Sequence, residues 1–494
     1  MITKKEFEEY CSKNNLRYKF KNKYYFQEEN LKLDWNGNNL FIVLCCYGYI
    51  ETLKWLLSLE EINIHINNEE AFQWSCMKGR IELAKWLIEI SKENGEIINI
   101  HENDEEAFRL SCMHGHFEVV KWLMEISKEN GNMINIHAKN EDAFIVSCSN
   151  KSKEIAKWLM KISKENGEKI NIHAHNEGAF ICSCIDGSIE VVKWLMEISK
   201  ENGEIINIHA ENEEAFRLSC ENGKLEIAKL LMEIAKENDD IINIHANNEE
   251  AFIESCAYGY IEVVKWLMEI SFRNKDIINI HANDEQAFIN SCMDGHIEVA
   301  KWLMEFSKKN GKMINIHAND EKAFRDSCSF GCLEIAKWLL EISKENGEMI
   351  NIHADNEGAF CFSCESGQIE VVKWLIKISK ENGDLINIHA NNEEAFRLSC
   401  HDGQLEIAKW LMEISKETGE IINIHANNEE AFIGSCKFGQ VEIVKWLCSL
   451  CDDYYVEIED DKIVKYRVKN IYNKFLNENK GIKPILKNLQ LEII

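Results

Sequence analysis

Ile205-Ile206-Asn207-Ile208-His209-Ala210-Glu211-Asn212-Glu213-Glu214-Ala215-Phe216-Arg217-Leu218-Ser219-Cys220-Glu221-Asn222-Gly223-Lys224-Leu225-Glu226 is one copy of a phrase repeated almost verbatim along the chain. Its histidine returns at 65, 101, 137, 173, 209, 245, 281, 317, 353, 389 and 425, a period of 36 residues without a slip, and its cysteine keeps the same beat from Cys76 to Cys436. Self-similarity at a fixed period of about 20–50 residues marks a stacked repeat protein, whose units bury their apolar faces against their neighbours. The 494 residues are therefore read as one elongated array rather than as several globular domains.

Outward from the phrase, each repeat resolves into two helices. The position held by Asn68, Asp104, Asn140, Asn212 and their equivalents, directly before a Glu-rich turn, is expected to cap a short first helix, with the paired glutamates such as Glu105-Glu106 at its positive end. That helix carries Ala107-Phe108-Arg109-Leu110-Ser111-Cys112 and closes at Gly115. The second helix runs from about Glu118 to Asn130-Gly131, with apolar residues at 119, 120, 122, 123 and 126. Ile134-Asn135-Ile136 then extends toward the next repeat. The recurring tryptophan is expected to be core, so that Trp302→Ala costs about 3–5 kcal/mol locally. Three units break rank. Lys151 replaces the turn glycine and Leu230 the tryptophan, while Asn238-Asp239-Asp240 and Asn274-Lys275-Asp276 lack the closing glycine. An asparagine is expected to take the left-handed position there.

These residues resemble ankyrin repeats. Asp34-x-x-Gly37 matches the opening turn, and Gly48-Tyr49-Ile50-Glu51-Thr52-Leu53-Lys54-Trp55-Leu56-Leu57 resembles the Gly-His-x-Glu-Val-Val-Lys-Leu-Leu-Leu run of that family. The first half departs: Ala-Phe stands for Pro-Leu, Ser-Cys for Ala-Ala, and the chain's one proline is Pro484. The resemblance implies an all-α solenoid of helix-turn-helix units with short extended connectors. The dialect of Ile-His-Ala and Trp for Leu is similar to the ankyrin arrays of giant DNA viruses that infect amoebae. Three segments are expected: an N-terminal cap at 1–33, an array of about twelve units at 34–451, and a C-terminal cap or docking tail at 452–494. In the last of these, Tyr454 to Tyr466 reads as two strands about Asp460-Asp461, and Val468 to Leu476 as a helix.

Composition narrows function. The chain carries 84 acidic against 56 basic residues, a net charge of -28, which disfavours binding to phosphate backbones. No apolar run spans a membrane, and Met1-Ile2-Thr3-Lys4-Lys5-Glu6 lacks a secretory stretch, so a cytoplasmic monomer is expected, in a host cytoplasm or a virion if the viral resemblance holds. Of 19 cysteines, eleven sit in register on an apolar helix face, which suits buried reduced thiols better than disulfides. Stacked helices lie about 8–10 Å apart, too far for equivalent histidines or cysteines to share a zinc ion with ligand bonds of about 2 Å. Cys448-Ser449-Leu450-Cys451 is one lone CxxC. Neither metal nor cofactor is expected, nor, without a phosphate loop or nucleophile elbow, any enzyme activity. The histidines are read as a structural ladder, with a pH switch as the alternative.

What varies within the fixed frame is the pair before each turn glycine, such as Met113-His114, Ala257-Tyr258 and Ser329-Phe330. The ankyrin resemblance implies that these line a concave groove for protein partners; the plainer reading is unconstrained solvent positions. Three consecutive repeats stand out. Where others carry Leu110, Val146, Leu218 or Leu398, they carry Glu254, Asn290 and Asp326, followed four residues later by Tyr258, Asp294 and Phe330. Polar residues at an otherwise apolar place, beside aromatics and acids, point to a partner with a basic, partly apolar segment. A protein-interaction scaffold is thus expected, with an architectural or virion-associated protein, or an adaptor recruiting a ubiquitin ligase through its terminal segment, as alternatives.

Overall fold

A computed structural model describes residues 37–59, 62–149, 152–459 and 462–469. The expected N-terminal cap lies outside them, as do Lys151, the Asp460-Asp461 turn and nearly all of the helix expected from Val468. Among the described residues there are 24 helices and one antiparallel hairpin, β1 Tyr454–Glu459 and β2 Lys462–Val468. The chain divides between Ala246 and Asn247 into two compact halves, each a succession of helix pairs. The first helices pack on one another in sequence, as Glu102–Met113 does on Ile66–Met77.

The second helix behaves as its 3.6-residue period dictates. In Phe117–Glu129, Val119, Val120 and Leu123 are buried while Glu118 and Glu125 are exposed. Both helices end on a left-handed glycine. At Gly115 (φ +75°) the amide of His116 reaches the Ser111 carbonyl at 2.9 Å, and at Gly95 (φ +81°) that of Glu96 reaches Ser91 at 3.1 Å, which returns frayed carbonyls to partners. Where the second glycine is missing, Asp239 (φ +56°) and Lys275 (φ +57°) adopt its conformation, not the asparagines before them. The position is fixed by the hydrogen-bond register, so whichever residue stands there is forced left-handed.

The recurring tryptophans of the second helices are not core. Trp302 is half-buried, whereas the first-helix phenylalanines, Phe108, Phe288 and Phe324 among them, are fully buried. The indole sits on the flank of its helix against the preceding repeat's phenylalanine, as in Phe72–Trp122 (6.3 Å between ring centroids) and Phe288–Trp338 (6.2 Å). Beside Phe, the buried Ala, Ser and Cys of the first helix allow close approach; Ser111 Oγ satisfies itself on the Ala107 carbonyl at 2.7 Å.

The expected helix cap is also replaced. Asn103 (φ +54°), Asp104 (φ +57°) and Glu105 (φ +64°) form a left-handed turn, and the right-handed helix starts only after it. No side-chain cap is made. Asn and Asp serve here because they tolerate the left-handed region, which costs other residues about 1–2 kcal/mol each. The turn swings the first glutamate of each pair inward, so that Glu105 is 6% exposed instead of decorating the helix end. Its carboxylate accepts from His101 Nδ1 at 3.0 Å and from the backbone N–H of Asn135, in the next repeat, at 3.1 Å.

This clasp recurs at Glu69, Glu141, Glu177, Glu213, Glu249, Glu285, Glu321, Glu357 and Glu393, each taking the amide of the asparagine 30 residues ahead at 2.9–3.1 Å. The asparagine Oδ1 in turn accepts the amide of its own histidine, as Asn135 does from His137 at 3.0 Å. A buried carboxylate is costly unless paired and hydrogen-bonded, and here the repeats from Glu69 to Glu393 supply the partners. The histidine ladder is therefore real, with Glu as its rung. Five repeats brace the left-handed turn further. Arg109 Nε donates to the Asp104 carbonyl at 2.9 Å and its terminal nitrogens to Asn103 and to Asp142 of the next repeat. Arg217, Arg325 and Arg397 occupy the same place and bond the same pair of carbonyls, and Gln73 bonds one of them.

At the end of the array the hairpin stands where a further repeat would. The ring of Tyr454 stacks on Phe432 at 4.2 Å and 5°, and its hydroxyl donates to Glu429 at 2.6 Å, the carboxylate that elsewhere takes the next asparagine amide.

Candidate protein-binding face

All six residues singled out from the sequence fall in the second half, on the ends of three consecutive first helices, Ala246–Ala257, Ala282–Met293 and Ala318–Ser329. Each pair shares one helical turn. The amides of Tyr258, Asp294 and Phe330 donate to the carbonyls of Glu254, Asn290 and Asp326 at 2.9, 3.0 and 2.9 Å. Glu254, Asn290 and Asp326 are half-buried, and Tyr258, Asp294 and Phe330 are exposed, the two rings at 53% and 58%.

The polar residues at the inner place are held rather than loose. Lys322 Nζ sits 2.8 Å from Asp326 Oδ2 one turn away, and Gln286 Nε2 donates to Asn290 Oδ1. Partial burial raises the Asp294 carboxyl above its usual range, against the opposing effect of His296. Acidic groups thus recur in three successive helices, each beside or between exposed rings.

Sequence reasoning missed the residue after the turn glycine. Tyr260 lies alongside Tyr258, ring centroids 6.5 Å apart at 29°, and widens the aromatic surface. His296, its equivalent one repeat on, lies over Gly259, where an added Cβ would come within 2.3 Å of the imidazole Nδ1. That close approach, together with φ +75°, explains why the turn is glycine. Only the variability of this column, Tyr260 then His296 then Cys332, could have hinted at it.

Little else offers chemistry. The in-register thiols are buried, and burial raises their pKa, to about 12 at Cys436; the additional thiol Cys361 is pushed up to about 12 in the same way. Among the described residues no group of three His, Cys, Asp or Glu is arranged to hold a metal ion. None of the described helices is long and apolar enough to cross a membrane.

Comparison with known proteins bears on the repeat itself. No curated protein matches the chain. Among solved structures, the pentatricopeptide repeat protein PPR10 in complex with an 18-nt psaJ RNA element is 10% identical, with a TM-score of 0.36 over 83% of this chain and 58% of that one. PPR10 from maize is 12% identical, with a TM-score of 0.37 over 90% and 64%. The chain spans less than two thirds of either. An ankyrin repeat family protein from Legionella pneumophila is 19% identical, with a TM-score of 0.28 over 56% and 78%. The family model described as ankyrin repeats, three copies, matches residues 40–135, 74–174, 108–209, 180–277, 252–356 and 360–460. With that match over most of its length, and with helix pairs joined by tight turns and extended connectors along the described residues, the chain belongs to the ankyrin-repeat family.

Proposed function

We propose that this ankyrin array is a non-enzymatic scaffold that binds a protein partner through the first-helix ends of 254–330, and that the partner presents a basic, partly apolar segment. The observation that carries this reading is the alignment of exposed Tyr258, Asp294 and Phe330 over half-buried Glu254, Asn290 and Asp326 in three adjacent repeats. Rings anchor interfaces because they bury much area at little entropic cost, and acids beside them steer a basic partner inward. Ordered repeats fix their spacing before any partner arrives, which lowers the cost of association.

The resemblance to giant-virus arrays extends the reading to a host protein met in the host cytoplasm, by a monomer that engages neither nucleic acid nor membrane. We read 34–451 as the array and the hairpin at 454–468 as its end cap, because Tyr454 fills the place of the next repeat's asparagine amide at Glu429. Affinity capture from extract with the full chain, against Tyr258→Ala with Phe330→Ala and folding checked by circular dichroism, tests the face. Partner recovery should fall sharply in the double variant; undiminished recovery removes this face from consideration.

A further inference from the structure

The loops that close the second helices repeat a phrase such as Ser343-Lys344-Glu345-Asn346-Gly347-Glu348-Met349, one base against two acids. Two adjacent repeats reverse it. Ser271-Phe272-Arg273-Asn274-Lys275-Asp276-Ile277 has two bases against one acid, and Ser307-Lys308-Lys309-Asn310-Gly311-Lys312-Met313 has three bases and no acid. All of these charged side chains are exposed. In a chain of net charge -28 this is a local basic island.

The island has an apolar floor. Phe272, which replaces the usual lysine, is 45% exposed and lies 5.9 Å from Phe306, which replaces the usual isoleucine. Phe306 stacks on Trp302 at 5.1 Å and 23°, so three rings run in a row across the two repeats. The loop tips Ile277 and Met313 are 60% and 44% exposed. Similar apolar tips occur in most repeats, as at Met349 and Leu385, where they follow an acid as Ile277 follows Asp276, whereas Met313 follows Lys312. Arg273 leans back on Glu269 within its own helix, leaving the lysines as the outermost charges.

The reversal works against the stack in two ways. Lys275 holds φ +57° where Gly311, Gly347 and Gly383 stand in other repeats, a conformation strained for a side chain. Lys312 stands where other repeats place an acid facing the histidine that opens the same repeat, as Asp384 Oδ2 does 3.2 Å from His353 Nε2, so the position that answers His281 holds a base instead. Local rules broken together in adjacent repeats are expected where a binding role competes with stability.

We propose that Phe272, Lys275, Phe306, Lys308, Lys309 and Lys312 form a second docking surface, for an acidic peptide segment bearing aromatic or aliphatic side chains. Its bases match carboxylates, and its rings and loop tips match the apolar residues between them. A long polyanion fits less well, because Glu345 and Glu348 of the following repeat end the basic run after two loops. This surface lies at the second-helix ends and has the opposite charge preference to the face proposed above, so either can fail without the other.

Arg273→Glu, Lys309→Glu and Lys312→Glu install the acids that other repeats carry at these positions, so the triple variant keeps a sequence the fold already accommodates. The full chain and this variant are each used to select from a displayed library of random peptides. Wild type should enrich sequences combining Asp or Glu with Phe, Leu or Ile. The best of them should bind the triple variant at least roughly tenfold more weakly, with Tyr258→Ala plus Phe330→Ala leaving that affinity unchanged. Equal enrichment by both proteins, or enrichment of basic sequences only, overturns the proposal. So does a labelled single-stranded RNA bound by wild type and released by the variant, which makes the island a nucleic-acid site. A wild-type dimer in sedimentation that the variant abolishes also overturns it, since the occupant is then a second copy.

Discussion

Glu141→Gln should loosen the array at one interface, by an amount that follows from two bonds. The Glu141 carboxylate, 5% exposed, accepts from His137 Nδ1 at 2.9 Å and from the Asn171 amide of the next repeat at 3.0 Å. Oε1 takes both donors and Oε2 also faces His137 Nδ1 at 2.9 Å, so a glutamine keeps one acceptor oxygen, without its charge, and either sets its NH2 against His137 or turns it toward the Asn171 amide. One charge-assisted hydrogen bond is lost, worth about 1.5–3 kcal/mol. Because His137 is partly open to solvent, water can replace some of that loss, which places the effect toward the lower end. Native-state hydrogen exchange at the Asn171 amide reads it directly. Each 1.4 kcal/mol is a factor of ten, so exchange should accelerate roughly tenfold to a hundredfold at Asn171. Repeats more than one removed should hardly change, since units couple to nearest neighbours. Exchange at Asn171 unaltered by the substitution would falsify the clasp as an element of stability.

Phe288→Ala, emptying a fully buried site, should cost about 3–5 kcal/mol in denaturant unfolding, and Trp302→Ala less than that because its ring is only partly buried; equal losses would contradict the assignment of core and flank. Burial disfavours the charged form of His137, but hydrogen bonds and charge from Glu141 and Glu168 outweigh it and raise its pKa above 6.5. A raised folded pKa means stabilisation fully present below the unfolded value and lost as pH climbs through the folded one. The stability difference between wild type and His137→Gln should therefore shrink as pH climbs above the unfolded value of about 6.5, and a pH-independent difference would speak against charged His137. Arg325→Ala strips two carbonyl bonds from the left-handed turn at Asn319 and Asp320 and the pairing with Asp355, and should cost about 1–3 kcal/mol. A melting temperature unchanged in that variant would show the brace to be idle.

How much of this was legible in the sequence depends on the range of the contact concerned. The period of 36 and the apolar spacing at Val119, Val120 and Leu123 state which face is buried, and the structure agrees. Periodicity names a helix face but not what lies across it, and so Trp302 reads as core when it stands at the rim. An Asn or Asp before a Glu-rich turn, as at Asp104-Glu105-Glu106, carries the same letters whether it caps a helix or forms a left-handed turn. What separates the two is the amide of Asn135 waiting in the next repeat, 30 residues away, and no local window contains it. At the candidate face, the spacing of four put Glu254 with Tyr258 and Asp326 with Phe330 correctly on one turn. Tyr260 escaped because it lies across a glycine turn, where helical spacing says nothing.

The claim that a partner is held at the first-helix ends of 254–330 is tested most directly by photo-cross-linking. A photoreactive amino acid is placed at 258, 294 or 330 of the full chain, and for comparison at Glu125 or Glu197 on the exposed side of second helices far from both proposed surfaces in the sequence. One partner cross-linked from 258, 294 and 330, and absent from 125 and 197, is the expected result. A partner captured from 125 and 197 while 258, 294 and 330 stay silent would contradict it.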